Sequence, residues 1–205
     1  MNTFFITGIG TDVGKTIASA IITEALQADY WKPIQAGDLE FSDTKKVKNL
    51  ISNNVSVFHK NAFELNTPAS PHFAAEIDGI NIKASAIKLP KTKNQNLVIE
   101  GAGGLLVPLN DKETILDLIK PDYKVIVVSR HYLGSINHTL LTIEMLKNRG
   151  IHCFGIIFNG EKNNATESII EKMSKVPIIG RIEEEPYFDK NVIQEYAENF
   201  REKLI

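Results

Sequence analysis

The chain has almost no cysteine: Cys153 is the only one among 205 residues. A lone thiol closes no intrachain disulfide, so packing must hold the fold, and the composition fits a reducing, cytoplasmic setting. Cys153 itself reads as a small core hydrophobe inside a strand. An excess of one charge is also missing. With 23 basic and 25 acidic residues the net charge is −2, which offers no overall attraction to nucleic acid or to a membrane. No apolar run approaches the roughly 20 residues of a membrane span. No basic stretch followed by an apolar one opens the chain, so no signal peptide is expected. Repeats and low-complexity tracts are absent. What is there, 43% hydrophobic residues over 205, is expected to form one domain, 1–205, with a sizeable core.

The strongest signal lies at the start. Thr3–Thr7 reads as a buried strand, Gly8-Ile9-Gly10-Thr11-Asp12-Val13-Gly14 as a glycine-rich loop, and Lys15-Thr16-Ile17 as a helix start. That order makes a phosphate cradle. Glycines let backbone N–H groups turn toward a polyphosphate, and the helix N-terminus adds unpaired N–H groups and a favourable dipole. Lys15 supplies charge for the outer phosphates, and the Thr16 hydroxyl suits Mg²⁺. A nucleoside triphosphate is the expected ligand. One irregularity stands out: counting back five positions from Gly14 lands on Ile9, and the glycines are Gly8 and Gly10. Asp12 is also unusual, because a carboxylate in a phosphate loop must face a metal, a substrate amine or solvent.

Further along, continuous apolar strands alternate with helical patterns. Strands are expected at 30–34, 96–100, 123–129, 151–158 and 177–180. Helices are expected at 14–28, from a Ser42-Asp43 cap, from Pro71, at 82–89, 135–149, 165–174 and 189–202. This is an α/β pattern: a mostly parallel sheet with helices on both faces. Sites in such folds lie at the carboxyl ends of the strands. Loops 8–16, 32–43, 100–104, 130–137 and 159–164 all follow strand ends, so they are expected to gather on one rim. Glu100 ends a strand, as a metal-holding carboxylate does in phosphate-loop enzymes, and Asp43 is a second candidate. Thr16, Asp43 and Glu100, with phosphates and water, would satisfy an octahedral Mg²⁺. Lys32, at the end of the second strand, is a second cation for a charged transition state.

Six segments taken together resemble ATP-dependent dethiobiotin synthetases. They are Gly10–Thr16, Lys32-Pro33-Ile34-Gln35-Ala36-Gly37, Ser42-Asp43, Thr67-Pro68-Ala69-Ser70-Pro71-His72, Val98–Gly104 and Leu133-Gly134-Ser135-Ile136-Asn137-His138. They occur in the family's order, and the likeness is strong over about residues 1–160. The resemblance implies a single-domain P-loop NTPase-like fold, a homodimer, Mg²⁺, and ATP as co-substrate with a diamine and CO₂. It implies catalytic roles for Lys15 and Lys32. It places nucleotide at Asp12, Val13, Gly14, Lys15, Thr16, Ile17, Asp43, Glu100, Gly101, Ala102, Gly103 and Asn159. It places substrate at Thr11, Asp12, Lys32, Ala36 and Gly103, with the substrate carboxylate at Ser135, Ile136 and Asn137 across a dimer interface.

Two departures from the family pattern matter. Ala36 stands where the family usually has Ser or Thr, which removes one hydrogen bond worth on the order of 1 kcal/mol. Glu183-Glu184-Glu185 follows Gly180-Arg181-Ile182 where the family often has a proline, leaving ordinary adenine contacts and an altered base preference both open. The competing reading is a partition-type switch ATPase. Such proteins typically carry a lysine five residues before the loop lysine, and here that position is Gly10.

Overall fold

The computed structural model describes residues 1–205. Its centre is a seven-stranded sheet with every pairing parallel. In chain order the strands and helices are β1 (Asn2–Gly8), α1 (Lys15–Leu26), β2 (Asp29–Trp31), β3 (Ile34–Ala36), α2 (Asp43–Leu50), β4 (Phe58–His59), β5 (Phe63–Leu65), α3 (Pro71–Ile77), β6 (Asn96–Gly104), β7 (Lys124–Arg130), α4 (Ser135–Asn148), β8 (Cys153–Asn159), α5 (Asn164–Ser174), β9 (Ile178–Ile182) and α6 (Lys190–Leu204). The sheet order is β4-β2-β6-β1-β7-β8-β9, and β3 pairs with β5 in a small parallel sheet of its own.

The apolar runs are continuous because both faces of the sheet are covered. Phe4 and Ile6 pack on one side with α1, α2 and α6, and Phe5 packs on the other with α3, α4 and α5. Val125 to Val128 alternate in the same way. Cys153 is buried in the core as expected, and burial pushes its thiol up to about 12.

Several elements differ from the sequence expectation. The strand expected at 30–34 breaks in two, because Pro33 has no N–H to give a ladder, while its carbonyl accepts from Ala62 and Phe63. The helix expected at 82–89 is only a 3₁₀ turn at Ala84–Ala86. Pro90 disfavours helical backbone just before it, and Ile82 anchors the segment in the core. The strand ending at Glu100 continues to Gly104. The strand expected at 177–180 runs to Ile182. Strands β4 and β5 and the 3₁₀ turns at Leu39–Phe41 and Ile115–Leu118 were not expected, since each is too short to show a period.

Candidate active site

The rim loops do converge. A cavity of about 1140 Å³ opens at the carboxyl ends of the strands. Its lining includes Thr11, Asp12, Gly14, Lys15, Thr16 and Ile17 from the first loop, with Lys32, Ala36, Asp43, Glu100, Ala102, Gly103 and Asn159. Val13 is buried beside it, and its carbonyl accepts from Asn159 Nδ2 at 3.0 Å. Gly101 lies behind the lining, packed on Phe5 and Ile115.

The loop itself shows how the irregular spacing is accommodated. Ile9 N–H still donates to Val128, so strand pairing runs one residue past Gly8. Gly10 then opens the turn, and the Lys15 ammonium reaches back to the Gly10 carbonyl at 2.8 Å. Gly14 sits at φ 97°, a left-handed backbone that strains any other residue, and a Cβ there would lie 2.4 Å from Asn159 Nδ2. Helix α1 therefore starts from a left-handed glycine with no side-chain cap, whereas Ser42, Asn163 and Asp189 cap α2, α5 and α6. Its first-turn N–H groups are left for an anion. Asp12, at φ 55°, stands exposed on the cavity wall.

Deeper in, four elements bring one cluster together. Glu100 is 1% exposed at the carboxyl end of the apolar part of β6. Its Oε2 accepts from the buried Tyr30 hydroxyl at 2.8 Å, and its Oε1 from Thr16 Oγ1 and Lys32 Nζ, both at 3.0 Å. Asp43 Oδ2 lies 2.8 Å from Lys32 Nζ, and its Oδ1 accepts from Thr16 Oγ1 at 3.1 Å. Gln35 supports Asp43 by accepting from its N–H at 3.2 Å.

Electrostatics follow from this packing. Burial works against the Lys32 charge, but Glu100 and Asp43 more than offset it, and the ammonium is held above its ordinary range. Burial likewise opposes the Asp43 carboxylate, yet Lys32 brings it below the usual range. Lys15 goes the other way: burial, helped by nearby Lys32, outweighs the pull of Glu100 and lowers it to about 8. Burial and Glu100 hold the Tyr30 phenol protonated, as a donor.

Thr16, Asp43 and Glu100 offer hard oxygen donors, both carboxylates within hydrogen-bond distance of the Thr16 hydroxyl, the kind of ligand Mg²⁺ takes. The Thr16 hydroxyl has one proton and two carboxylate oxygens in range, so the cluster has acceptors to spare. The donor set fits a magnesium ion that shares the carboxylates with Lys32.

Not every expected residue is in the cavity. Ser135, Ile136 and Asn137, at the start of α4, do not line it. Ser135 is buried, while Ile136 and Asn137 face solvent beside Tyr132 and the fully exposed Leu133. Helix α4 also starts at a left-handed glycine, Gly134, with no side-chain cap. Conversely, the cavity is lined by residues not anticipated: Asp38, Lys46, Asn49, Arg130 and Phe188. Lys46 falls one helical turn after Asp43, a spacing that could have flagged it. Tyr30 was hidden as an ordinary strand hydrophobe. The acidic run is absorbed by neighbours: Glu183 pairs with Arg181 at 3.1 Å, Glu184 with Arg130 at 3.7 Å, and Glu185 accepts from Tyr196 at 2.6 Å.

A family model described as an AAA domain matches residues 2–192. The chain is 66% identical to the ATP-dependent dethiobiotin synthetase BioD of Christiangramia forsetii, over 98% of this chain and 97% of that one. It is 49% identical to the protein of the same name from Cytophaga hutchinsonii, over 96% of each. Among solved structures, the cell division ATPase MinD of Pyrococcus furiosus covers all of both chains with a TM-score of 0.62 at 15% identity. The pNOB8 ParA bound to nonspecific DNA aligns over 99% of this chain with a TM-score of 0.61 at 11% identity. At such identities these two structures establish a shared P-loop NTPase fold and nothing further.

Proposed function

Because the chain belongs to the ATP-dependent dethiobiotin synthetase family, we propose that residues 1–205 form a single domain whose rim cluster holds magnesium, ATP and a diamine acid together. The enzyme is a ligase that makes dethiobiotin at the expense of ATP, a step of biotin biosynthesis. The observation that carries our reading of its site is the Lys32–Asp43–Glu100–Thr16 cluster beside the uncapped start of α1.

The chemistry suits those residues. One amine of 7,8-diaminononanoate takes up CO₂ as a carbamate. A carbamate oxygen attacks the γ-phosphorus, and ADP leaves. The second amine then attacks the carbamic–phosphoric anhydride carbon, closes the ureido ring and releases phosphate. Anions must be brought together, so the protein's work is positioning and charge compensation. Lys15 covers the phosphates from the loop, and Lys32 stabilises carbamate and phosphoryl oxygens. Thr16, Asp43 and Glu100 would hold magnesium, which when bound adds positive charge at the phosphates. Thr11, Asp12, Ala36, Ala102 and Gly103 form the wall toward the diamine, with Asp12 available to an amine. Gly14, Ile17, Gly101 and Asn159 frame the nucleotide side.

The substrate carboxylate goes to Ser135, Ile136 and Asn137 of a second copy. These residues lie outside the chain's own cavity, at an uncapped helix start beside exposed Tyr132 and Leu133. The working form is therefore a homodimer, placed in the cytoplasm. No helix is long and apolar enough to cross a membrane. Phosphate release from ATP, magnesium and bicarbonate should require diaminononanoate; release at the same rate without the diamine would instead mark a switch ATPase.

A further inference from the structure

Apart from the rim cavity, a smaller cleft of about 250 Å³ lies against the sheet face that carries α3 to α5. Register builds its floor. Phe5 pairs with Ile99 and Ile99 with Trp31, so three apolar side chains from adjacent strands lie level. Ala84, Ile87, Leu89 and Leu118 form the walls.

Polar groups are few: Ser85, Lys88, Asp117, Lys120 and Tyr123. Tyr123 is 4% exposed and lines the cleft, and its hydroxyl makes no hydrogen bond in the protein. Burial, reinforced by Asp122, pushes that phenol up to about 12, so it is a donor. Lys88 and Lys120 stand exposed at the mouth. The one lining carboxylate, Asp117, is already engaged: Arg149 donates to it at 2.6 Å and the Thr114 N–H at 2.7 Å. A phenol that makes no hydrogen bond in the protein, two exposed ammonium groups and an apolar floor suit an anion on an aliphatic chain.

We propose that this cleft is a binding site for an unbranched aliphatic monocarboxylate of about eight carbons, given a volume below that of drug-sized pockets. The chain lies on the Phe5–Ile99–Trp31 row, and the carboxylate meets Tyr123, Lys88 and Lys120. This site is independent of the reaction proposed above, although Trp31 and Ile99 directly precede Lys32 and Glu100 in the chain.

Trp31 is the only tryptophan and lies on the cleft floor, so its emission reports on this region of the protein. Titrating the whole protein with sodium octanoate should give a saturable change in that emission, with octylamine binding at least about tenfold more weakly. The double variant Lys88→Glu/Lys120→Glu should reverse that order, and Ala84→Phe, which fills the cleft, should abolish the response. If Ala84→Phe does not fold, the charge-reversed variant decides alone. The site is overturned by no saturable response, by an order that charge reversal leaves unchanged, or by a response that persists in folded Ala84→Phe. A signal displaced by ATP would put octanoate in the rim cavity. A signal that follows protein concentration would mean that a second copy covers the cleft. Either result also refutes the proposal.

Discussion

Lys32 shows most directly what one residue contributes. It is 5% exposed, and its ammonium lies within 3.0 Å of both Asp43 and Glu100. A charge contact made in the transition state is worth a few kcal/mol, so Lys32→Ala should lower turnover by at least about 100-fold while nucleotide still binds. Steady-state kinetics paired with a nucleotide titration check this, and near-normal turnover would remove Lys32 from catalysis. Residues such as Lys15, Thr16, Asp43 and Glu100 were legible in the sequence because each is fixed by a glycine, a cap or a strand end. Tyr30 was not. A tyrosine in a buried strand looks like core, and only the tertiary fold sets its hydroxyl 2.8 Å from a carboxylate 70 residues away. The acidic run at 183–185 looked like a nucleotide feature because two of its partners, Arg130 and Tyr196, are distant in the sequence.

Between elements, the clearest joint is Glu24 at the end of α1. Its carboxylate accepts from the backbone N–H of Ser52 at 2.9 Å and of Asn53 at 3.2 Å, and from both their side chains, tying α1 to the segment after α2. Burial alone would raise its pKa, but the hydrogen bonds from Ser52 and Asn53 bring it below 4.5. A depressed carboxylate stabilises the fold above its unfolded pKa and loses that contribution as pH falls through the folded value. Glu24→Ala should therefore cost about 2 kcal/mol near neutral pH, and the gap to wild type should narrow under acid. Urea melts at pH 7 and pH 4 measure both, and an equal gap at the two pH values would contradict the assignment. Long strands and amphipathic helices were readable because period and burial agree. The segment at 82–89 misled because its apolar residues serve a turn laid over the sheet, a pattern that imitates a helix. The β3–β5 pair was invisible because three-residue strands carry no period.

At the scale of the molecule, the rim cavity of one chain lacks the α4 start that the proposed substrate needs. Sedimentation at micromolar concentration should show a dimer. Leu133→Asp, at a fully exposed position beside Tyr132 and Ile136, should shift it toward monomer and raise KM for the diamine more than for ATP. A monomeric wild type with full activity would defeat the shared site. The rim cavity also has a kinetic property of its own. Its lining carries Asp12, Asp38, Asp43 and Glu100 against Lys15, Lys32, Lys46 and Arg130, so acidic and basic side chains cancel before any ligand arrives. A neutral mouth on a protein of net charge −2 exerts no long-range pull on a triphosphate. The association rate of a fluorescent nucleotide should then vary less than about twofold between low and physiological salt; a steep fall would reveal steering. Encounter is left to diffusion, and retention falls to short-range donors that act only once the phosphates are inside.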